Sequence, residues 1–344
     1  MTLHSEIHEQ PQRLANLLGQ RRQAEQIAAA IQGKAPCFVF LAARGTSDNA
    51  GRYANYLWGA ANQLPLALAT PSLFTYYGQP PRLKGALVVA VSQSGKSPDI
   101  VRVIQEGRAQ GCLTLTITNA PDSPLAQAAD LVMDIQAGEE RAVAATKSYT
   151  AELLGIAMLS AALAGSEAAW QELAGVPTWA EQMLRQDEAI ARMAQRYRYM
   201  NQCVVLGRGY NYATAFEWAL KLKELTYLVA EPYSSADFQH GPIAMVAGGF
   251  PVLAVAPQGK VFASMLEMIA ALRNEHAAEL VVISDNDEAL GLAQSPICLP
   301  AGIPEWLTPL IAIIAGQLFA YHLTLAKGYN AEKPRSIRKV TETQ

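Results

Sequence analysis

The chain of 344 residues has no surplus of basic charge: 27 Lys and Arg stand against 30 Asp and Glu, for a net charge of −3. Nucleic acid and anionic membrane surfaces need a positive field, so neither is an expected partner. Cysteine is scarce. Cys37, Cys112, Cys203 and Cys298 lie far apart, in or beside apolar segments, with no CxxC or metal-ligand spacing. Each is predicted to be a reduced, buried thiol, and no metal site is expected. Such thiols fit a reducing compartment, which makes the cytoplasm the expected location. Residues 1–30 carry Glu and Arg throughout, unlike a signal or transit peptide. The most apolar run, residues 307–325, is interrupted by Pro309, Gln317, His322 and Thr324. It reads as a buried or interfacial helix rather than a membrane span.

What the chain does contain is one pattern written twice. Val39-Phe40-Leu41-Ala42-Ala43-Arg44-Gly45 returns as Cys203-Val204-Val205-Leu206-Gly207-Arg208-Gly209, and the run before Gly95-Lys96 returns before Gly259-Lys260. Arg44 to Arg208 and Gly95 to Gly259 are the same 164 residues apart, which indicates a duplicated domain. The copies differ where chemistry is expected. Ser92-Gln93-Ser94-Gly95-Lys96-Ser97 becomes Ala256-Pro257-Gln258-Gly259-Lys260-Val261, and all three hydroxyls are lost. If this loop binds an oxygen-rich anion, only the first copy does so.

Each copy alternates short aliphatic runs with helix-like stretches. In the first, the runs 37–41, 86–91, 113–118 and 131–135 alternate with 49–61, 98–110 and 146–164. In the second, 203–206, 252–255 and 280–284 alternate with 212–228 and 262–273. Continuous apolar strands separated by helices predict an α/β fold: two tandem doubly wound parallel sheets, each covered on both faces. A helical segment is expected over residues 1–36, with one amphipathic helix at 11–32. The first domain is expected at 37–165, a helical linker at 166–199, the second domain at 200–326 and a charged tail at 327–344.

Ser92 follows a buried strand, and Ser97-Pro98 suits the opening of a helix, with Ser as N-cap and Pro at the first position. This loop therefore sits at the carboxyl end of a parallel strand, where doubly wound sheets place ligands. Helix-end amides with the hydroxyls of Ser92, Ser94 and Ser97 and the Gln93 side chain would surround a phosphate, and Gly95 permits close approach. Gly45-Thr46-Ser47 offers a second hydroxyl pair after the first strand. A nucleotide P-loop would require glycine at position 90, where the chain has Ala90 inside a strand.

These residues resemble the sugar isomerase (SIS) family, in particular the isomerase half of glucosamine-6-phosphate synthase and its stand-alone relatives. The matching pieces run in family order. They are Arg44-Gly45-Thr46-Ser47, Ser92-Gln93-Ser94-Gly95, Val143-Ala144-Ala145-Thr146-Lys147, Leu206-Gly207-Arg208-Gly209, Ala219-Leu220-Lys221-Leu222-Lys223-Glu224, His240-Gly241-Pro242 and the tail Pro334 to Lys339. The resemblance implies flavodoxin-like SIS domains and a phosphorylated amino sugar as ligand. The Ser and Thr loops would cradle the phosphate, with Val143 and Ala145 in the same site. Glu224 matches the base that moves a proton between the first two sugar carbons, and Lys221 a lysine beside it. His240 matches the ring-opening residue, which reaches into the partner subunit's site and so implies a homodimer. Lys339 matches the tail lysine near the substrate carbonyl. The chain departs from the synthase at Lys96, Ala145 and Arg338, and it begins Met1-Thr2 rather than with a glutaminase nucleophile, so use of glutamine is not expected.

Glu217, Lys221 and Glu224 share a helix face at spacings of four and three, which by itself describes a solvated ion-pair ladder as well as a catalytic group. The resemblance makes the expected activity that of a glucosamine-6-phosphate deaminase, working without metal or organic cofactor. His240 opens the ring, Glu224 moves the proton, and water hydrolyses the imine to fructose 6-phosphate and ammonia. Alternatives are a simple phosphosugar isomerase, a fructosamine-6-phosphate deglycase and a sugar-phosphate-sensing module. The sensing module is disfavoured because the segment before the first strand is short and weakly basic for a DNA-binding domain.

Overall fold

The computed structural model describes residues 2–339. The described residues form two compact units, one of residues 9–141, 147–174 and 338–339, the other of residues 2–8, 142–146 and 175–337. Residues 340–344 of the expected tail lie outside the described residues.

The first unit is built on five parallel strands: β1 (Phe38–Ala42), β2 (Leu66–Leu68), β3 (Ala86–Ser92), β4 (Leu113–Thr118) and β5 (Leu131–Asp134). Their order is β2-β1-β3-β4-β5, with Val39 opposite Leu66 on one side and Leu87 on the other. Every residue of β3 is buried, as a central strand covered on both faces requires. One face is closed by Phe40, Ala42, Val88 and Ala90 packed with Ile100, Val103, Ile104 and Leu125. Against the other lies helix Gly45–Asn62, seated so closely that a Cβ on Gly51 would stand 2.7 Å from a Leu41 methyl.

The second unit repeats the plan with β6 (Gln202–Gly207), β7 (Val229–Ser234), β8 (Pro251–Val255), β9 (Glu279–Ser284) and β10 (Ser295–Cys298). The order β10-β9-β8-β6-β7 is the same winding: counted within each unit, both sheets read 2-1-3-4-5, the flavodoxin-like order. The backbone repeats as well. Arg44 and Arg208 are both extended, at φ −139° and −147°, and Gly45 and Gly209 both turn left-handed, at φ +53° and +60°.

The structure departs from the sequence expectations in several places. Three of the four edge strands, β2, β7 and β10, have no long apolar run, since edge strands are covered less completely. The single helix expected at 11–32 is two, Gln10–Leu18 and Arg21–Lys34, broken at Gly19-Gln20, and a further helix Leu3–His8 precedes them. Cys112 and Cys203 are buried, whereas Cys37, just before β1, and Cys298, at the end of edge strand β10, are exposed. The apolar helix, Thr308–Ala326, is core. Its residues 308–320 are buried, with Phe319 edge-on to Trp218 at 5.7 Å and to Tyr197 at 5.6 Å. Most of its apolar surface is covered within the chain, and Leu325 near its end is exposed.

Candidate active site

Both loops with an expected phosphate role sit in the first unit. They follow β1 and β3, adjacent strands whose connections run in opposite directions along the sheet, the place where a crevice opens beyond the strand ends. Ser92 is the last residue of β3 and is buried, and its Oγ accepts from the Gly95 N–H at 3.2 Å. Ser94 Oγ accepts from the Lys96 N–H at 3.4 Å. Gly95 has φ +62°, and an added Cβ would stand 2.0 Å from Ser123 Oγ, so both conformation and space require glycine. Gln93 and Ser97 are half-buried. Ser97 holds the N-cap position with Pro98 next to it, but its side chain makes no capping hydrogen bond, in contrast to the expectation.

The loop after β1 is held from behind. Ser47 Oγ donates to Glu152 Oε1 at 2.8 Å, and both residues are buried. The Arg44 guanidinium donates through Nε and Nη2 to Asp99 Oδ2, at 2.8 and 2.6 Å. Asp99 is fully buried in the first turn of helix Pro98–Ala109, so this pair ties the Gly45-Thr46-Ser47 loop to the helix that Ser97 opens. Thr46 is half-buried between them in sequence, at the start of helix Gly45–Asn62.

The second unit shows what the same loop becomes without hydroxyls. The Gln258 N–H donates to Asp285 Oδ1 at 2.7 Å and the Lys260 N–H to Glu305 Oε2 at 3.0 Å. A Cβ on Gly259 would meet the Glu305 carboxyl carbon at 2.2 Å. Two carboxylates thus occupy amides of the second loop, and a phosphate there would meet like charge. Arg208, the counterpart of Arg44, donates to Ser264 Oγ at 3.0 Å instead of to a buried acid.

The second unit carries the ionisable cluster. On helix Tyr212–Thr226, Lys221 Nζ lies 2.5 Å from Glu224 Oε2 and 3.3 Å from Glu217 Oε1. Lys221 and Glu217 are buried and the Glu224 side chain is 24% exposed, so this is not a solvated ladder: one carboxylate of the three groups reaches solvent. Burial alone would lower the Lys221 pKa, but Glu217 and Glu224 outweigh it and push it above the ordinary lysine range. The ammonium is permanent at neutral pH, and Glu224 is its accessible partner.

His240 ends the short helix Ser235–Gln239, which is anchored by buried Phe238 and capped by Ser234 Oγ accepting from the Ala236 N–H. Its own N–H donates to Asp237 O at 3.1 Å, Gly241 turns the chain at φ +137°, and the residue is exposed. Val143 and Ala145 are half-buried in the segment 142–146, which belongs to this unit. That segment is held by the Ala142 N–H donating to Glu6 Oε2 at 3.2 Å and Gln317 Nε2 donating to Thr146 O at 3.2 Å. The tail is pinned where Arg335 stacks over the Tyr227 ring at 4.5 Å and donates its N–H to Tyr227 Oη at 3.0 Å.

Lys339 belongs to the first unit, where Nζ donates to Glu140 Oε2 at 2.7 Å. Glu140 is buried and also accepts from the N–H and Oγ of Ser148, at 3.1 and 2.7 Å. The structure therefore groups Gly45, Thr46, Ser47, Ser92, Gln93, Ser94, Ser97 and Lys339 in one unit, and Val143, Ala145, Lys221, Glu224 and His240 in the other. Sequence reasoning missed the supporting acids Asp99, Glu140 and Glu152. No spacing links them to Arg44, Lys339 and Ser47, because the partners lie 55, 199 and 105 residues away.

Residues 38–162 and 197–327 match the family model of the SIS domain. The chain is 32% identical over 348 residues to a glutamine–fructose-6-phosphate aminotransferase (isomerizing) of Thermus thermophilus, covering 97% of this chain and 57% of that protein. It is 34% identical over 369 residues to the enzyme of the same name from Xylella fastidiosa, covering 98% and 58%. The chain thus spans little more than half the length of these curated relatives. Among solved structures, a candidate phosphosugar isomerase from Silicibacter pomeroyi superposes with a TM-score of 0.86 at 32% identity, covering 96% of this chain and all of that one. The C-terminal domain of glucosamine-fructose-6-phosphate aminotransferase from Francisella tularensis gives 0.87 at 26% identity, covering 96% and 98%. With the family model matched over both copies and the two sheets wound alike, the chain belongs to the SIS domain family.

Proposed function

We propose that the protein is a phosphosugar enzyme of aldose–ketose type that converts glucosamine 6-phosphate and water to fructose 6-phosphate and ammonia. The observation that carries this reading is the partly exposed Glu224 carboxylate held 2.5 Å from a buried, permanently charged lysine. The lysine holds the Glu224 carboxyl in one orientation by a direct hydrogen bond, and positioning at the proton to be moved is what a general base requires. In this reading His240 donates a proton to the ring oxygen and opens the sugar. Glu224 takes the proton from C2 and returns it to C1 while a proton of the amine passes to O1, leaving a hydroxyl at C1 and an imine at C2, and water then replaces the nitrogen as ammonia. Ser92, Gln93, Ser94 and Ser97, with Gly45, Thr46 and Ser47, hold the phosphate. Val143 and Ala145 line the sugar, and Lys339 serves the substrate carbonyl. Every step is a proton transfer or hydrolysis, for which side chains suffice.

Support comes from the kinship with aminotransferases whose names specify fructose 6-phosphate and isomerisation, and from neutral hydroxyls in the first loop where the second has carboxylates. The exposure of His240 suits a residue serving a partner subunit, which makes the active species a homodimer. The test is ammonia release from glucosamine 6-phosphate by wild type and Glu224→Gln. The variant is expected to lose about 10²–10⁴-fold in kcat. Equal rates in the two proteins would refute the assignment of Glu224. Parallel assays of fructosamine 6-phosphates for free amino acid, and of aldose 6-phosphates for ketose, distinguish a deglycase or simple isomerase, and binding without turnover of any would identify a sensor.

A further inference from the structure

The chain has five histidines, and three of them converge on one carboxylate far from the candidate catalytic residues in sequence. His4 Nε2 and His8 Nε2 lie 2.7 and 3.0 Å from Asp187 Oδ2, and His322 Nε2 lies 2.5 Å from Asp187 Oδ1. The ligand atoms of His4, Asp187 and His322 all stand within 4.8 Å of one another. All four residues belong to the same unit.

We propose that His4, Asp187 and His322 bind a divalent transition-metal ion, zinc by the chemistry of the donor set, with His8 beside them on Asp187 Oδ2. Imidazole nitrogen with one carboxylate oxygen is a donor set that suits zinc, and three protein donors leave the fourth position to water or to a small movement of His8. His4 and His8 are four residues apart on helix Leu3–His8 and so project from one face, the spacing at which a helix offers two imidazoles to one ion. Around tetrahedral zinc, donor atoms about 2.0–2.2 Å from the metal stand about 3.3 Å from each other. The imidazole-to-carboxylate separations of 2.5 to 3.0 Å lie within a few tenths of an ångström of that spacing, and the donor atoms of His4, Asp187 and His322 are all within 4.8 Å of one another. The Tyr321 ring stacks on His4 at 4.9 Å and fixes its orientation. His4 and His8 are about one-third exposed, at 35% and 38%, which leaves an entry path, while His322 and Asp187 form a half-buried floor at 14% and 19%.

A metal here joins three segments that are remote in sequence. They are the N-terminal helix, the start of helix Asp187–Arg196 and the later turns of helix Thr308–Ala326. Its function is to fasten the first residues of the chain to this unit, and binding adds to stability by mass action. The rival is a metal-free cluster in which each Nε2 keeps a proton and donates it to Asp187.

The experiment uses the full chain stripped with a chelator, titrated with zinc by calorimetry and with cobalt(II) by visible spectroscopy. The expected result is one zinc per chain at micromolar Kd or tighter, a tetrahedral cobalt spectrum, and a melting temperature raised by about 5 °C at a hundredfold excess over Kd. His322→Ala is expected to weaken binding at least about 100-fold. His322→Asn, which keeps a donor to Asp187, is expected to stay folded and to lose the metal. His276→Ala is expected to bind as wild type does. Absence of zinc binding, or binding that survives loss of both His4 and His322, overturns the proposal in favour of the hydrogen-bonded cluster.

Discussion

Replacing Lys221 with Met removes the charge on which the helix Tyr212–Thr226 is organised while keeping side-chain length. The ammonium lies 3.3 Å from Glu217, a carboxylate with no exposed surface, and 2.5 Å from Glu224. Glu224 can turn its charge to solvent. Glu217 cannot, so the variant leaves a buried carboxylate without its cation, a change that costs about 3–5 kcal/mol. At about 2–4 °C per kcal/mol this lowers the melting temperature by roughly 10 °C at pH 8. The deficit has a definite pH dependence. In the variant, burial raises the Glu217 pKa above its unfolded value of about 4.3, so the folded state binds a proton that the unfolded state does not. Such a group is least costly below the unfolded pKa and becomes more costly as pH rises through the folded one, so the deficit shrinks from pH 8 to pH 5. In wild type the Lys221 pKa is raised, so its contribution is complete below about pH 10 and lost only above it, outside this window. The double variant Lys221→Met with Glu217→Gln is expected to recover more than half of the loss, since a neutral amide replaces the stranded charge. Calorimetric scans of the three proteins at pH 5 and pH 8 decide the matter. A Lys221→Met protein within about 2 °C of wild type at pH 8, or a deficit independent of pH, would refute the assignment of Lys221 as the buried counter-ion.

Gly95→Ala places a Cβ 2.0 Å from Ser123 Oγ in a backbone held at φ +62° and is expected to cost about 2–4 kcal/mol and to raise KM for the phosphosugar. Adding Ser123→Gly removes the clash but not the left-handed penalty, so denaturant midpoints are expected to show partial recovery, and full recovery would show that the backbone conformation is not strained. If His240 serves the partner subunit's site, then mixing Glu224→Gln with His240→Ala chains after subunit exchange restores about a quarter of wild-type activity, because half the dimers are mixed and each carries one intact site. No activity above the parents in the mixture places His240 in its own subunit's site or outside catalysis.

Much of the fold was legible in sequence because the signal was physical and local. Central strands such as β3 and β8 are buried on both faces and therefore read as unbroken apolar runs. Helix Pro98–Ala109 announced its start by Ser97-Pro98. The edge strands β2 and β7 escaped notice because one is only three residues long and the other contains Glu231 and Pro232, tolerable where covering is incomplete. The candidate phosphate loop was legible for a related reason: hydroxyls and a glycine crowded into six residues have few purposes at a strand end.

The sequence by itself determined the duplication, the α/β winding, and the asymmetry by which one loop kept three hydroxyls and the other lost them, because these reside in short contiguous segments. Only the tertiary structure decided which acids complete each group. Asp99 behind Arg44, Glu140 behind Lys339, the carboxylates on the second loop, and the gathering of His4, His8 and His322 around Asp187 depend on residues brought together from distant parts of the chain. Burial separates the two kinds of knowledge. Spacing of four and three on a helix describes Glu217, Lys221 and Glu224 equally well in water or in a core, and it is their burial that turns the row into a charged cluster with a single accessible carboxylate.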